Sequence, residues 1–189
     1  MNHIYFIRHG ATAGNLEKRY IGRTDEPLCE LGISQVKRLR TYNIQADRVF
    51  ASPALRTRQT AAILFPQIEP EIVENLTETD FGIFEGKNAE ELSGSSEYQA
   101  WVDSGCLAAI PGGESVSDFK KRCCEAFYSG MQRVPDGKTA AFVIHGGGIM
   151  AILGEFARPK RDFYDYHIGN GAIAEYAYQN LTLKLIKSG

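Results

Sequence analysis

Two apolar runs in this chain each stop at a histidine. His3 to Ile7 gives way to Arg8-His9-Gly10, and Thr139 to Ile144 (TAAFVI) gives way to His145-Gly146-Gly147-Gly148. The first run reads as a buried strand ending in a loop, and the second as a central parallel strand. In an α/β sheet the ligand sits where strand C-termini open into a crevice, so both histidines are expected at that opening. An imidazole there can attack as a nucleophile or move a proton. The adjoining arginine supplies a cation that stays charged.

The elements that must position these ends can be traced along the chain. From Ser34 to Tyr42, apolar Val36 and Leu39 alternate with polar residues in the manner of a surface helix. A short strand, Val49 to Ala51, follows. Ser52-Pro53 signals a helix start, with Ser52 as cap and Pro53 in the first helical position, and the helix passes Arg56, Thr60 and Ala62 before Pro66. Glu69 to Gly113 is irregular and glycine-rich and reads as an inserted lid. A long amphipathic helix starts near Ser115 or Ser117 and runs to about Val134, with Val116, Phe119, Cys123, Ala126, Phe127 and Met131 on its apolar face. A helix from about Ile149 to Phe156 comes after the second histidine. The runs Ala172 to Tyr178 and Leu181 to Ile186, separated by Gln179-Asn180, predict a terminal hairpin. The alternation predicts an α/β fold with a mostly parallel central sheet, as one domain over residues 1–189 with a lid at about 69–113.

Composition removes whole classes. The 189 residues are 43% hydrophobic and 23% charged, which excludes disordered, collagen-like and disulfide-scaffold chains. Lys+Arg 21 against Asp+Glu 23 gives a net charge of −2, so no general basic field exists to hold a nucleic-acid backbone. No apolar stretch approaches the ~18 to 20 residues of a bilayer span, and the run before Arg8 is too brief for a secretory signal. A cytoplasmic protein without nucleic-acid or membrane partners is expected. Cys29, Cys106, Cys123 and Cys124 lack C-x-x-C spacing, so reduced thiols are expected, with the Cys123-Cys124 pair packing on a helix. No His, Cys and carboxylate group has metal-ligand spacing, and neither a metal nor another cofactor is expected.

Arg8-His9-Gly10, SPALRTRQTA, ETDFG, PGGES and IHGGG occur in that order between Asn2 and about Gly148. In this the chain resembles the histidine phosphatase superfamily, the phosphoglycerate-mutase-like enzymes. The resemblance implies a three-layer α/β/α fold whose mostly parallel sheet carries an inserted lid, which coincides with the reading from periodicity. It also implies chemistry on a phosphate monoester, a group of about −1.5 to −2 charge near pH 7 that needs fixed cations and aimed donors.

Residue by residue, the resemblance makes His9 the nucleophile that carries a phosphohistidine. Arg8 and Arg56 become the bidentate phosphate clamps, although Arg56 by itself reads equally well as a helix-surface ion pair. His145 donates to an equatorial oxygen together with the Gly146 N–H, and in its cationic form would also keep His9 less protonated. Asn15 becomes a further phosphate donor, while its plain reading is turn chemistry. Glu78, in Leu76 to Gly82, matches the general acid, with Asp80 and Glu85 as rival carboxylates. Arg19, Gly22 and Arg23 lie where related enzymes approach the substrate beyond its phosphate, and Arg23 reads equally as an exposed charge. Arg19 reads equally as an exposed charge, Ser115 as a helix cap, and His3 and His167 as structural. Ala11 and Gly14 stand where many relatives have a glutamate and an aromatic residue, which widens the expected pocket mouth.

Within the family the expectation is hydrolysis. Mutases carry a longer insertion and a covering C-terminal tail, and this sequence stops soon after its last strand. RYIGRTDEPLCELG looks like the corresponding stretch of bacterial alpha-ribazole phosphatases. The expected partner is a small phosphorylated metabolite acting on a monomer or homodimer. A phosphoglycerate mutase, a sugar-phosphate phosphatase and a non-catalytic phosphate-binding module are the alternatives.

Overall fold

Strand β1 (Asn2–Arg8) sends Ile4 and Phe6 to one side and Ile7 to the other, and β4 (Thr139–Ile144) does the same with Phe142 and Ile144 against Ala141 and Val143. The strands are therefore buried on both faces, as their nearly continuous apolar composition requires. They lie side by side and parallel, with Arg8 opposite Ile144. This pairing places the residues that follow them, His9 and His145, at one edge.

The computed structural model describes residues 1–188. Four further strands complete the sheet: β2 (Arg48–Ala51), β3 (Glu71–Ile72), β5 (Ile173–Gln179) and β6 (Thr182–Ser188). Their order is β3-β2-β4-β1-β5-β6, parallel from β3 through β1 and antiparallel across β5 and β6. The expected hairpin is thus the antiparallel margin of an otherwise parallel sheet. On one face lie α5 (Val116–Met131) and α6 (Gly146–Phe156), whose Phe119, Phe127, Ile149 and Ile152 close the larger core. On the other lie α2 (Glu30–Leu39) and α3 (Leu55–Leu64), contributing Leu39, Ala61 and Phe65 to a second core. The short α1 (Ala13–Leu16) follows the first strand end.

Several boundaries differ from the sequence expectation for identifiable reasons. Helix α2 begins at Glu30, not near Ser34, because Gly32 and Ile33 are helical in spite of the glycine. Helix α3 begins at Leu55 with Ala54 as cap, since Ser52 turns its hydroxyl to His145 instead of capping. Helix α6 begins at Gly146, directly after the histidine, although its glycines have poor helix propensity. Its other contacts fix it there. Ser115 caps α5 by accepting from the Asp118 N–H, as expected.

The irregular stretch 69–113 is more ordered than its composition suggests. It opens with β3, an edge strand of the sheet, and later forms α4 (Ser96–Asp103). Phe84, Leu92, Trp101 and Ile110 bury themselves in a third cluster, against which Tyr20, Phe81 and Tyr98 pack. Each such burial contributes roughly 1.5–3 kcal/mol, so this segment has a small core of its own.

Candidate active site

The site begins where β1 and β4 end. The His9 N–H donates to Ile144 O at 3.2 Å, and the two imidazoles lie edge to face with centroids 5.2 Å apart. His9 is 4% exposed and His145 is fully buried.

Each ring's tautomer follows from its partner. Gly10 O can only accept, so the 2.7 Å contact makes His9 Nδ1 the protonated nitrogen and leaves the Nε2 lone pair free. Burial, then Arg56, pulls the His9 pKa down to about 3, with the Gly10 hydrogen bond opposing and Arg8 adding a lesser push downward. His9 is therefore neutral near pH 7. His145 Nε2 lies 2.8 Å from Ser52 Oγ. With the hydroxyl donating, the proton sits on His145 Nδ1, a buried atom that has no partner in the protein. Burial, then His9, Arg56 and Arg8, holds His145 well below the usual histidine range. His145 is thus held as a neutral ring that carries a free N–H.

Positive charge comes from two arginines instead. Arg56, 1% exposed on α3, donates to Thr24 O at 2.8 Å, Gly22 O at 3.0 Å and Ile21 O at 3.4 Å. Arg8 donates through Nη1 to Ile168 O at 2.8 Å and lies 3.0 Å from His167 Nε2, while its buried Nε has no partner. Among the described residues neither guanidinium forms an ion pair. Burial pulls both down from their ordinary value, with Glu78 opposing. Two mostly buried cations without a carboxylate partner create a strong demand for an anion.

Further donors converge on the same place. As the first residue of α6, Gly146 presents an N–H with no intrahelical acceptor, at the positive end of the helix dipole. Asn15 Oδ1 accepts from the Thr12 N–H and from Asn170 Nδ2, which completes a capping box on α1. Its amide nitrogen is left to donate outward. The turn reading of Asn15 and its role as a donor are thus compatible.

Glu78 is held at the mouth. Its Oε2 accepts from the Gly147 N–H at 3.1 Å and its Oε1 from the Thr79 N–H at 2.9 Å. A β-carbon on Gly147 would press on this carboxylate and make it shift, so glycine leaves the Glu78 carboxylate where it stands. The rivals are engaged elsewhere. Glu85 Oε1 accepts from the Gly22 and Thr24 N–H groups and the Thr24 hydroxyl, and Asp80 accepts from the Gly82 N–H and faces Arg23.

Other predicted positions play different parts. The Gly22 N–H is engaged by Glu85, and a side chain there would strike Thr79 O, so Gly22 lets two loops close over Arg56. Arg23 is largely exposed and meets Asp80 at 3.3 Å. Arg19 pairs with Glu17 and Glu91 and donates to Gly86 O, tying its loop to the segment that carries Gly86 and Glu91. His3 faces Glu175 away from the site. His167, expected to be structural, stands against Arg8 and lines the cleft.

Sequence reasoning missed Ser52, Asn170 and Arg122. Arg122 donates to the carbonyls of Asn75, Thr77 and Glu78 while paired with Glu114, and so clamps the loop that carries Glu78. Its only sequence signal is a charge on the flank of an amphipathic helix. A cleft of about 460 Å³ opens from Arg8, Glu78, Gly146 and Gly147 toward Tyr20, Phe81 and Trp101. Among the described residues no three His, Cys, Asp or Glu side chains converge as a metal site, no helix is long and apolar enough to cross a membrane, and all four cysteines are free.

"Probable phosphoglycerate mutase GpmB" of Enterobacter sp. (strain 638) is 30% identical over 154 residues, which cover 77% of this chain and 70% of the relative. The adenosylcobalamin/alpha-ribazole phosphatase of Salmonella typhimurium is 28% identical over 175 residues, covering 89% and 86%. In fold, the alpha-ribazole phosphatase from Shigella flexneri superposes with a TM-score of 0.86 at 24% identity over 97% of this chain and 94% of its own. A phosphoglycerate mutase from Thermus thermophilus superposes at 0.75 with 26% identity, over 98% and 97%. Residues 4–187 match the histidine phosphatase superfamily (branch 1), and the chain belongs to that family.

Proposed function

We propose that the protein hydrolyses a phosphate monoester through a phosphohistidine on His9, without a metal or other cofactor. The carrying observation is the pair of ion-pair-free arginines flanking a neutral histidine whose Nε2 is unoccupied. Arg8, Arg56, Asn15, the His145 Nδ1–H and the Gly146 N–H hold the phosphoryl oxygens. His9 Nε2 attacks phosphorus, the P–O bond to the leaving group breaks, and protonated Glu78 gives its proton to the departing oxygen. The Glu78 carboxylate then takes a proton from water, whose oxygen attacks phosphorus as the P–N bond breaks. Phosphate leaves, and His9 returns to its neutral form. The fixed donors bind the developing charge without reorganising, which is the main source of rate.

The substrate we favour is a small phosphorylated metabolite such as alpha-ribazole 5′-phosphate, met in the cytoplasm. The Salmonella typhimurium relative, matched over most of both chains, supports it. Phosphoglycerate mutation is the second reading, supported by the relatives of that name. Incubation with alpha-ribazole 5′-phosphate should release phosphate and leave an acid-labile phosphoenzyme that His9→Ala abolishes, with activity surviving exhaustive chelation. Unchanged hydrolysis by His9→Ala sinks the mechanism. Isomerisation of 3-phosphoglycerate outpacing phosphate release selects the second reading.

A further inference from the structure

Beyond the arginine end the cleft changes character. Tyr20, Phe81 and Trp101 come from the lid side and Phe119, Phe163 and Tyr164 from the side of α5 and the segment after α6, and together they line one continuous cavity with Arg8 and Glu78. Apart from Arg8 at the arginine end, the cation on this lining is Lys120, which sits 4.2 Å over the Phe163 ring. The Trp101 Nε1–H is buried without an acceptor. The total volume, about 460 Å³, lies within the ~300–1,000 Å³ that encloses drug-sized molecules. A three-carbon acid would leave most of this wall bare, and its carboxylate would meet rings.

We propose that this aromatic chamber is the leaving-group subsite, and that it selects phosphomonoesters whose alcohol carries a flat, uncharged aromatic ring system. The proposal rests on the phosphatase reading above and adds the substrate class. Rings stack or meet edge to face with Tyr20, Phe81 and Tyr164. Selection then arises from apolar contact beyond the phosphate, because the arginine end treats every monoester alike.

The test compares 2-(4-nitrophenyl)ethyl phosphate with ethyl phosphate, which share a primary alkyl leaving oxygen, and adds 3-phosphoglycerate. Burying the ring should raise kcat/KM about 30-fold or more over ethyl phosphate. Phe81→Ala should cut that ratio about tenfold, and Tyr164→Ala, at an exposed ring whose loss does not endanger folding, should cut it by a smaller factor. Trp101 is the single tryptophan of the chain, so its quenching in His9→Ala reports occupancy of the chamber without turnover. Quenching by the nitrophenylethyl ester and not by ethyl phosphate supports the chamber even if hydrolysis fails, in which case only the phosphatase reading falls. Hydrolysis of both esters at similar kcat/KM, or faster turnover of 3-phosphoglycerate, overturns the chamber and leaves the phosphatase reading standing. Neither binding nor turnover overturns both.

Discussion

Arg8 and Gly146 line one end of the cleft and are fixed, with the buried His9 and His145 beside them, by two neighbouring strand ends, whereas at the other end Tyr20, Phe81 and Trp101 arrive from separate stretches of the chain. The first end is set by sheet register and by hydrogen bonds to buried carbonyls, such as those from Arg56 to Ile21, Gly22 and Thr24. The second is set by ring packing in the third cluster. A hydrogen-bonded polar site fails when one member is removed, because its partners stay buried and unsatisfied. A ring-lined wall degrades by degrees. The two ends should therefore respond to substitution in different ways.

The largest effect belongs to Arg56→Ala. It removes the proposed phosphate clamp and strips the donor from three loop carbonyls at once. Steady-state kinetics should show kcat/KM falling by about 10³-fold for aromatic and simple alkyl esters alike. A loss under tenfold, or one confined to aromatic esters, would erase the distinction between the ends. Glu78→Gln comes next. It should cost about 10²-fold on ethyl phosphate, whose leaving oxygen needs a proton, and much less on 4-nitrophenyl phosphate, whose leaving group departs as an anion. The difference is read in kcat/KM, which ends at phosphoryl transfer to His9 and excludes the water step that both esters share; equal losses of kcat/KM on both would show that Glu78 is not the acid.

The acid limb of stability sharpens the same contrast. His9 titrates near pH 3 in the folded chain and His145 is also depressed, whereas an unfolded histidine titrates near the usual value of about 6.5. Between those values the unfolded state binds more protons, so lowering the pH favours unfolding. Stability should be level above about pH 6.5 and then fall by about 1.4 kcal/mol per pH unit for each of the two histidines, measured by urea unfolding at stepped pH. A His9→Gln variant should show a shallower slope. An unchanged slope would mean that these rings are not held neutral by the fold.

Ser52→Ala has a smaller expected effect. It takes away the hydroxyl that fixes the His145 tautomer, and kcat should drop about tenfold while the aromatic-to-alkyl preference stays the same. A change in that preference would mean that the two ends communicate.

How much of this was legible follows the same division. The strand-end histidines could be read because a buried strand and its loop are contiguous in sequence, and the histidine phosphatase motifs name the partners. Helix α3 was legible as a helix, but its burial was not. It buries Arg56, Thr57 and Thr60, and Thr60 accepts from the Gly10 N–H, so no apolar stripe marks its inner face. Ser52 carried a helix-start signal yet serves His145, because a hydroxyl suited to capping is equally suited to a ring nitrogen. Arg122 and the aromatic chamber were invisible for another reason. They depend on contacts between residues dozens of positions apart, and an isolated aromatic in a glycine-rich stretch has no periodicity to announce it.

The smallest predicted effect tests whether the lid can be loosened without touching the chemistry. Tyr98 lies behind the chamber, where its hydroxyl sits 2.9 Å from that of Tyr20 and its ring meets Phe84 and Trp101. Tyr98→Phe keeps the ring packing and deletes one hydrogen bond, so about 0.5–1.5 kcal/mol of lid stability should be lost. Amide exchange around residues 84–101 should quicken accordingly, with KM for aromatic esters rising modestly because Tyr20 is held less firmly. Hydrolysis of ethyl phosphate should stay within about twofold, since Arg8, Arg56 and His9 take their positions from the sheet and the loops over α3, not from the lid core. Were ethyl phosphate hydrolysis to fall in step with lid stability, the arginine end would depend on closure as well, and the separation argued from how the two ends are built would fail.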